Sequence, residues 1–288
     1  MIWAVVIFFL ALIMVGVVAF DSNRFVVRSV SVETDKVSED LRFLFISDLH
    51  SRIFGKRNKR LYDALDKIEF DGALLAGDMM TADRHIDFAE SIGFLQYLKE
   101  RGPVFYSLGN HESRSRVYLK TYGDLYERYC KALADIGVPM MDNESAEFRG
   151  VRITGLTLPE KYYNKRKKPV LPAAEIEELV GALNPEDYNI LLAHNPEYFE
   201  SYAEYGSDLV LSGHLHGGIV RIFGRGLISP RLELFPKFHG GEYKKGTVTM
   251  LVNRGLGGHH IPWRMFNPGE IIVLEIKSNI SPLKNDRH

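Results

Sequence analysis

Cysteine is nearly absent. One thiol, Cys130, in 288 residues excludes a disulfide scaffold. A surplus of either charge is also missing. Lys and Arg number 36 against 37 Asp and Glu, for a formal net charge of -1, whereas a general nucleic-acid binder carries a basic excess. Residues 1–20 hold no charged side chain at all. What the chain does have is 45% hydrophobic and 11% aromatic residues, too many for a disordered polymer and enough for a large core. Its length suits one or two domains.

Ile2 to Phe20 is an unbroken apolar run. As a helix at ~1.5 Å per residue it spans roughly 28 Å, close to the ~30 Å of a bilayer's hydrocarbon. A single-pass cell-membrane anchor is the expectation, with Trp3 at one interface. The alternative is a cleaved signal peptide. Val17-Val18-Ala19 offers small residues for cleavage, but the charged leading region is missing. Arg24 and Arg28 follow the run and no Lys or Arg precedes it. That leans the remaining chain toward the cytoplasmic face. Whether the segment is ever cleaved stays open at this point.

Beyond residue 20, Phe25 to Glu33 reads as a short strand or stalk, and residues 21–40 as a linker. A rhythm then begins. Buried-strand runs at Arg42–Ser47, Gly72–Ala76 and Val104–Leu108 are separated by helical stretches at Lys59–Ile68 and Ile86–Lys99. Strands alternating with helices predict βαβ units and a largely parallel sheet. Leu119, Tyr122, Tyr126, Tyr129, Leu133 and Ile136 recur at helical spacing, predicting one long helix over Val117–Ile136. It carries Cys130 half-buried and inert, and closes at Gly137. Further strands are expected at Val151–Leu156, Asn189–Ala193, Asp208–Leu211, Thr247–Val252 and Ile271–Ile276. Asn195 is placed to cap a helix starting at Pro196. The soluble part reads as one unit over residues 41–278, with a polar tail at 279–288.

Polar residues of one character close these strands: Ser47-Asp48-Leu49-His50, Gly77-Asp78, Gly109-Asn110-His111-Glu112, Ala193-His194-Asn195 and Gly213-His214-Leu215-His216. Each piece alone reads as an ordinary turn, because Gly and Asn tolerate positive φ. Together they gather five of ten histidines at the carboxyl ends of strands, where open α/β sheets bind ligands.

In these residues the sequence resembles the calcineurin-like metallophosphoesterases, whose pattern runs Asp-x-His, Gly-Asp, Gly-Asn-His-Asp/Glu, His, Gly-His-x-His. Gly213–Gly218 (GHLHGG), Gly226–Pro230 (GLISP), Asn253–Gly257 (NRGLG) and Pro262–Glu270 (PWRMFNPGE) are similar to the membrane-associated bacterial branch. The resemblance implies a four-layer α/β/β/α sandwich, here preceded by the one transmembrane helix read from the apolar run. It implies two divalent metal ions, for which mixed carboxylate, amide and imidazole donors suit Mn, Fe, Zn or Co. Asp48, His50 and His216 would hold one metal and Asn110, His194 and His214 the other, with Asp78 bridging. Hydroxide shared by the pair would attack phosphorus in line. His111 would stabilise the transition state or protonate the leaving oxygen, and Glu112 would orient it or be an exposed turn carboxylate. The implied substrate is a phosphodiester, pyrophosphate or phosphomonoester, including a lipid-linked or sugar-nucleotide lipid ester, with no nucleic acid indicated. The competing readings are a non-catalytic scaffold on the same fold and a protein Ser/Thr phosphatase.

Other residues carry weaker signals. Arg84 stands six residues past Asp78 and is a candidate for a substrate phosphate or a solvated helix start. His259 and His260 follow a glycine-rich loop, whereas His85, His239 and His288 carry no pattern. Lys161–Lys168 (KYYNKRKK) is either a solvated loop or a clamp on anionic lipid.

Overall fold

The pattern of buried residues separates interior strands from edges. Leu41–Ile46 buries every side chain but Arg42, and Gly72–Ala76 and Tyr188–Ala193 bury all of theirs. Such near-continuous apolar runs belong to strands covered on both faces. Phe25–Thr34 and Glu144–Phe148 alternate between partly buried and exposed positions, the mark of strands with one face toward water. The computed structural model describes residues 2–164, 168–229, 232–258 and 263–280; the expectations for His259, His260, His288 and most of the 279–288 tail lie outside the described residues.

Two six-stranded mixed sheets result. The first runs β1 (Phe25–Thr34), β14 (Gly269–Ser278), β2 (Leu41–Ile46), β3 (Gly72–Ala76), β4 (Val104–Ser107), β5 (Met140–Met141). The second runs β12 (Gly241–Lys245), β13 (Val248–Val252), β9 (Leu209–Ser212), β8 (Tyr188–Ala193), β7 (Val151–Leu156), β6 (Glu144–Phe148). In each, three central strands pair in parallel: β2, β3 and β4 in one, β7, β8 and β9 in the other. A small hairpin, β10 (Val220–Ile222) and β11 (Arg225–Ile228), stands apart.

The period-two geometry of a strand decides the layering. Phe43 and Phe45 point between the sheets, meeting Ile153, Ile190 and Leu211. Leu44 and Ile46 point outward beneath α2 (Lys59–Leu65), α3 (Ala89–Lys99) and α6 (Leu125–Asp135), where Leu61, Phe94 and Tyr129 cover them. Across the second sheet, Leu191 and Val210 pack under Ile176 of α7 (Ala173–Val180) and Phe199 of α8 (Phe199–Tyr205). The order is helix, sheet, sheet, helix. Each fully buried Leu or Phe in these layers contributes about 1.5–3 kcal/mol of transfer free energy.

Two expectations need correction. Residues 21–40 are not a stalk, because they contain β1, which pairs in parallel with β14 along ten residues. The single helix over Val117–Ile136 is instead α4 (Asn110–Val117), α5 (Leu119–Tyr122) and α6. Gly123 takes φ 62° and ψ -129°, a conformation that ends α5, and Asp124 opens α6 while pairing with Arg128 one turn on. At its described ends the basic run is exposed and paired with neighbouring carboxylates: Lys161 with Glu175 at 2.9 Å, and Lys168 with Glu197 and Glu233. Residues 165–167 lie outside the described residues. Asn195 accepts from the Glu197 N–H at 3.1 Å and caps the short helix Pro196–Tyr198.

The apolar run forms α1 (Ile2–Ser22), long and apolar enough to cross a membrane or to be a signal sequence, and its apolar window is uncovered by the rest of the protein.

Candidate metal centre

Five loops leave the carboxyl ends of β2, β3, β4, β8 and β9 and converge. Asp48 and His50 follow β2, Asp78 follows β3, Asn110 and His111 follow β4, His194 follows β8, and His214 and His216 follow β9. All except His50 are buried, and the His50 side chain is itself only 4% exposed.

The donor atoms face one another. Asp78 Oδ2 is 3.1 Å from His194 Nε2 and 3.7 Å from His50 Nε2. Asp48 Oδ1 is 3.3 Å from His216 Nε2. His50 Nε2 and His216 Nε2 are 3.3 Å apart, and His214 Nδ1 and His194 Nε2 are 3.2 Å apart. Among the described residues, three groups have their potential ligand atoms within 4.8 Å of one another: Asp48, His50, His216; Asp78, His194, His214; and His50, Asp78, His111.

Hydrogen bonding on the far side of two rings fixes what they present here. A carbonyl only accepts, so His194 Nδ1–H donates to Ala76 O at 2.6 Å, and His216 Nδ1–H donates to Gly257 O at 3.4 Å. In a neutral ring the inward Nε2 is then a bare lone pair. Lone pairs of nitrogen pointing at carboxylate oxygens repel unless a proton or a cation lies between them. Asn110 Oδ1 is buried with no hydrogen-bond partner, an orphaned acceptor of the sort that coordination satisfies. On both counts the residues fit divalent cations.

The charges respond to this crowding. Burial, with Asp78 nearby, pushes Asp48 up to about 6 against the pull of His194, Ser47 and the His214 N–H. Burial also acts on Asp78, yet His194, His111 and His50 hold it well below the usual carboxylate range. Burial lowers His194, but the two carboxylates override it and raise the ring to about 9. The cage therefore favours positive charge.

The loops carry strain where donors sit. Asp48, His50, Asp78, His214 and His216 all have positive φ, between 48° and 72°. This conformation is uncommon outside glycine and clusters at functional sites. Neighbouring glycines allow the close approach. A Cβ on Gly109 would lie 2.2 Å from Asp78 Oδ1, and one on Gly77, at φ 85°, would lie 2.4 Å from the Gly109 nitrogen.

Glu112 braces two of these loops. Fully buried, it accepts from the N–H groups of Asp78, Met79 and Gly109 at 2.9 Å and from Tyr106 Oη–H at 2.6 Å. Burial and the Asp78 charge push it up to about 7, against the Tyr106 bond. It is therefore not an exposed turn carboxylate. The His111 ring is engaged by a different partner: His111 Nδ1 accepts the Ala82 N–H at 2.8 Å. His111 also donates its own N–H to Asp78 Oδ1 at 2.8 Å.

Arg84 is exposed and lines a cleft of about 210 Å³ with Asp87, Phe88 and Arg128; among the described contacts none joins it to the cage. His85 lies in that cleft, and His239 lies beside Arg221, whose guanidinium also donates to Gly217 O next to His216. Cys130 is half-buried on α6. Sequence reasoning missed Arg264 and Asn267, which hold the ligand loops from behind. Arg264 donates to Gly255 O at 3.0 Å and to Gly257 O, and Asn267 donates to His216 O at 2.8 Å. Both lie in the PWRMFNPGE segment, whose polar residues among aromatics were the available signal.

A two-sheet α/β sandwich with His and carboxylate donors at its rim defines a class of metal-binding phosphoesterase folds. The family model of the calcineurin-like phosphoesterases matches residues 41–218, and the chain belongs to that family. It is similar to an uncharacterized metallophosphoesterase of Helicobacter pylori strain J99, 26% identical across 87% of this chain and 63% of the relative. It thus spans less than two thirds of that relative's length. An uncharacterized metallophosphoesterase of Aquifex aeolicus is 26% identical across 87% of this chain and 91% of its own. Among solved structures, Haemophilus influenzae NAD nucleotidase aligns with a TM-score of 0.40 and 17% identity, over 75% of this chain and 45% of that one.

Proposed function

We propose that this chain is a membrane-anchored phosphoric ester hydrolase that works with two divalent metal ions. Asp48, His50 and His216 would hold one ion and Asn110, His194 and His214 the other, with Asp78 placed to serve both. The observation that carries this reading is the cage of imidazole nitrogens and two buried carboxylates, grouped within 4.8 Å of one another, with the buried, orphaned Asn110 Oδ1 on the loop after β4. When bound, such ions neutralise charge on phosphoryl oxygens and acidify water.

The chain's own groups do the rest. With Nδ1 accepting from Ala82, a neutral His111 carries its proton on Nε2, which would serve a phosphoryl or leaving-group oxygen. Glu112 and Tyr106 keep the β3 and β4 loops in register, so that His111 and Asp78 hold a fixed relation. α1 keeps the rim at a membrane, which brings a lipid-linked phosphodiester or pyrophosphate within the range of substrates.

The test is chelation and reconstitution of the full chain in detergent. EDTA should abolish hydrolysis of bis-p-nitrophenyl phosphate, and Mn, Fe, Zn or Co should restore it with about two ions bound per chain, as expected of a two-metal site. Comparison with p-nitrophenyl phosphate sorts diester from monoester preference. Full hydrolysis after exhaustive metal removal overturns the proposal.

A further inference from the structure

Outside the cage, the largest unexplained feature is a group of apolar side chains around the β10–β11 hairpin. Trp263, Phe266, Phe223, Leu232, Leu234 and Phe235 are each more than half exposed. Four of them, Phe223, Leu232, Phe235 and Phe266, also have positive φ, between 48° and 63°. Bulky residues in that region are strained, and here the strained backbone turns large apolar groups outward, where water penalises them. A backbone outlier of this kind points toward function.

Backbone bonds join these residues into one platform. Met265 N–H donates to Ile219 O and Arg221 N–H donates to Met265 O, each at 3.0 Å, so the Trp263 segment lies along β10. Phe235 N–H donates to Leu227 O at 2.8 Å, which lays the Leu234 segment along β11. The platform continues into α1. Trp263 and Met265 face Ala11, Met14, Val15 and Val18 of α1 across a groove of about 570 Å³. Those helix residues lie inside the apolar run, so a bilayer that accepts the run reaches the platform. At the foot of α1, Arg52 donates to Ser22 O and Asn23 Oδ1, and Arg60 donates to Asn23 O. Cations beside an aromatic-rich surface match the headgroup level of a membrane.

We propose that this platform docks into the interfacial layer of a lipid bilayer, beside α1, with acyl chains and headgroups as its occupant. The proposal rests on reading α1 as a membrane span. It gives the metal centre an orientation as well as a location. Asn267, next to Phe266, donates to His216 O and Gly218 O, and Arg264, next to Trp263, donates to Gly255 O. The rim of the cage is thereby fixed to the docked surface, within reach of a phosphate ester carried by a membrane lipid.

Two tryptophans are present, Trp3 and Trp263, so Trp3→Phe leaves Trp263 as the sole reporter in the full chain. The protein is reconstituted into vesicles of phosphatidylcholine with phosphatidylglycerol, then floated. With lipids brominated near the top of the acyl chain, Trp263 emission should fall by roughly half, as for a side chain about 5–10 Å into the interface. Serine at Phe223, Leu234 and Phe235 together should reverse most of that quenching while hydrolysis of bis-p-nitrophenyl phosphate is unchanged. Flotation with unquenched Trp263 overturns the platform and leaves the anchor standing. Cross-linking of Phe223→Cys between copies, again with Trp263 unquenched, also overturns it, by assigning the surface to a second chain. Failure to float overturns the anchor reading itself.

Discussion

His111 and Asp78 share a hydrogen bond yet are proposed for different work, and substitution separates them. Asp78 contributes to two of the potential ligand groups and His111 to one. If His111 supplies a proton and holds no metal, His111→Ala keeps about two ions per chain while turnover falls roughly 10²–10⁴-fold, the usual worth of a general acid. Loss of a metal in that variant, measured by elemental analysis, assigns His111 to the ligands instead. Asp78→Asn should lower occupancy and turnover together. At this scale the sequence was informative because coordination depends on residue type. Asp-x-His and Gly-His-x-His could be read without coordinates. The orphaned Asn110 Oδ1, the lone pairs fixed by Ala76 O and Gly257 O, and the role of Glu112 as a backbone brace could not. The two lone pairs depend on partners 118 and 41 positions away, and the brace reaches Asp78 34 positions away.

Elements bring those residues together only if their connecting loops can touch. The loops after β3 and β4 meet backbone to backbone, with Gly109 against Asp78 and Gly77 against Gly109. Gly109→Ala puts a methyl 2.2 Å from Asp78 Oδ1. Overpacking of this sort costs about 1–3 kcal/mol, and the displaced carboxylate should weaken metal affinity by roughly 10–100-fold, the range for disturbed ligand support. Calorimetric metal titration alongside thermal melting checks both, and wild-type affinity in a folded variant contradicts the contact. The interior strands were legible as runs such as LRFLFI and YNILLA, because burial on both faces leaves an apolar string. The helix break at Gly123 was not. Tyr122 and Tyr126 keep helical spacing across it, and periodicity does not register one residue at φ 62°. The hairpin β10–β11 and edge strand β6 were also missed: short, half-exposed strands have too few buried positions to produce a pattern.

At the scale of the molecule, β1 changes where the folded unit begins. Its sequence, FVVRSVSVET, alternates too loosely to distinguish a stalk from a strand, and the distinction lies in β14, more than 200 residues away. Phe25 pairs with Gly269 and Thr34 with Ser278. Val30 and Val32 pack on the core between the sheets, Phe25 stacks edge-on to Phe54 at 5.0 Å, and Arg28 pairs with the buried Glu270 at 3.0 Å. A chain beginning at Asn23 therefore keeps the unit whole, whereas one beginning at Asp40 bares the ten-residue ladder of β14 and part of the core beneath it. Each kcal/mol lost lowers the melting temperature by about 2–4 °C in a protein of this size, and an open apolar strand edge invites pairing between chains. The shorter chain should melt several degrees lower and elute as aggregates. Equal melting temperatures and monomeric elution for the two would return residues 25–34 to the role of a detachable linker between α1 and the rest.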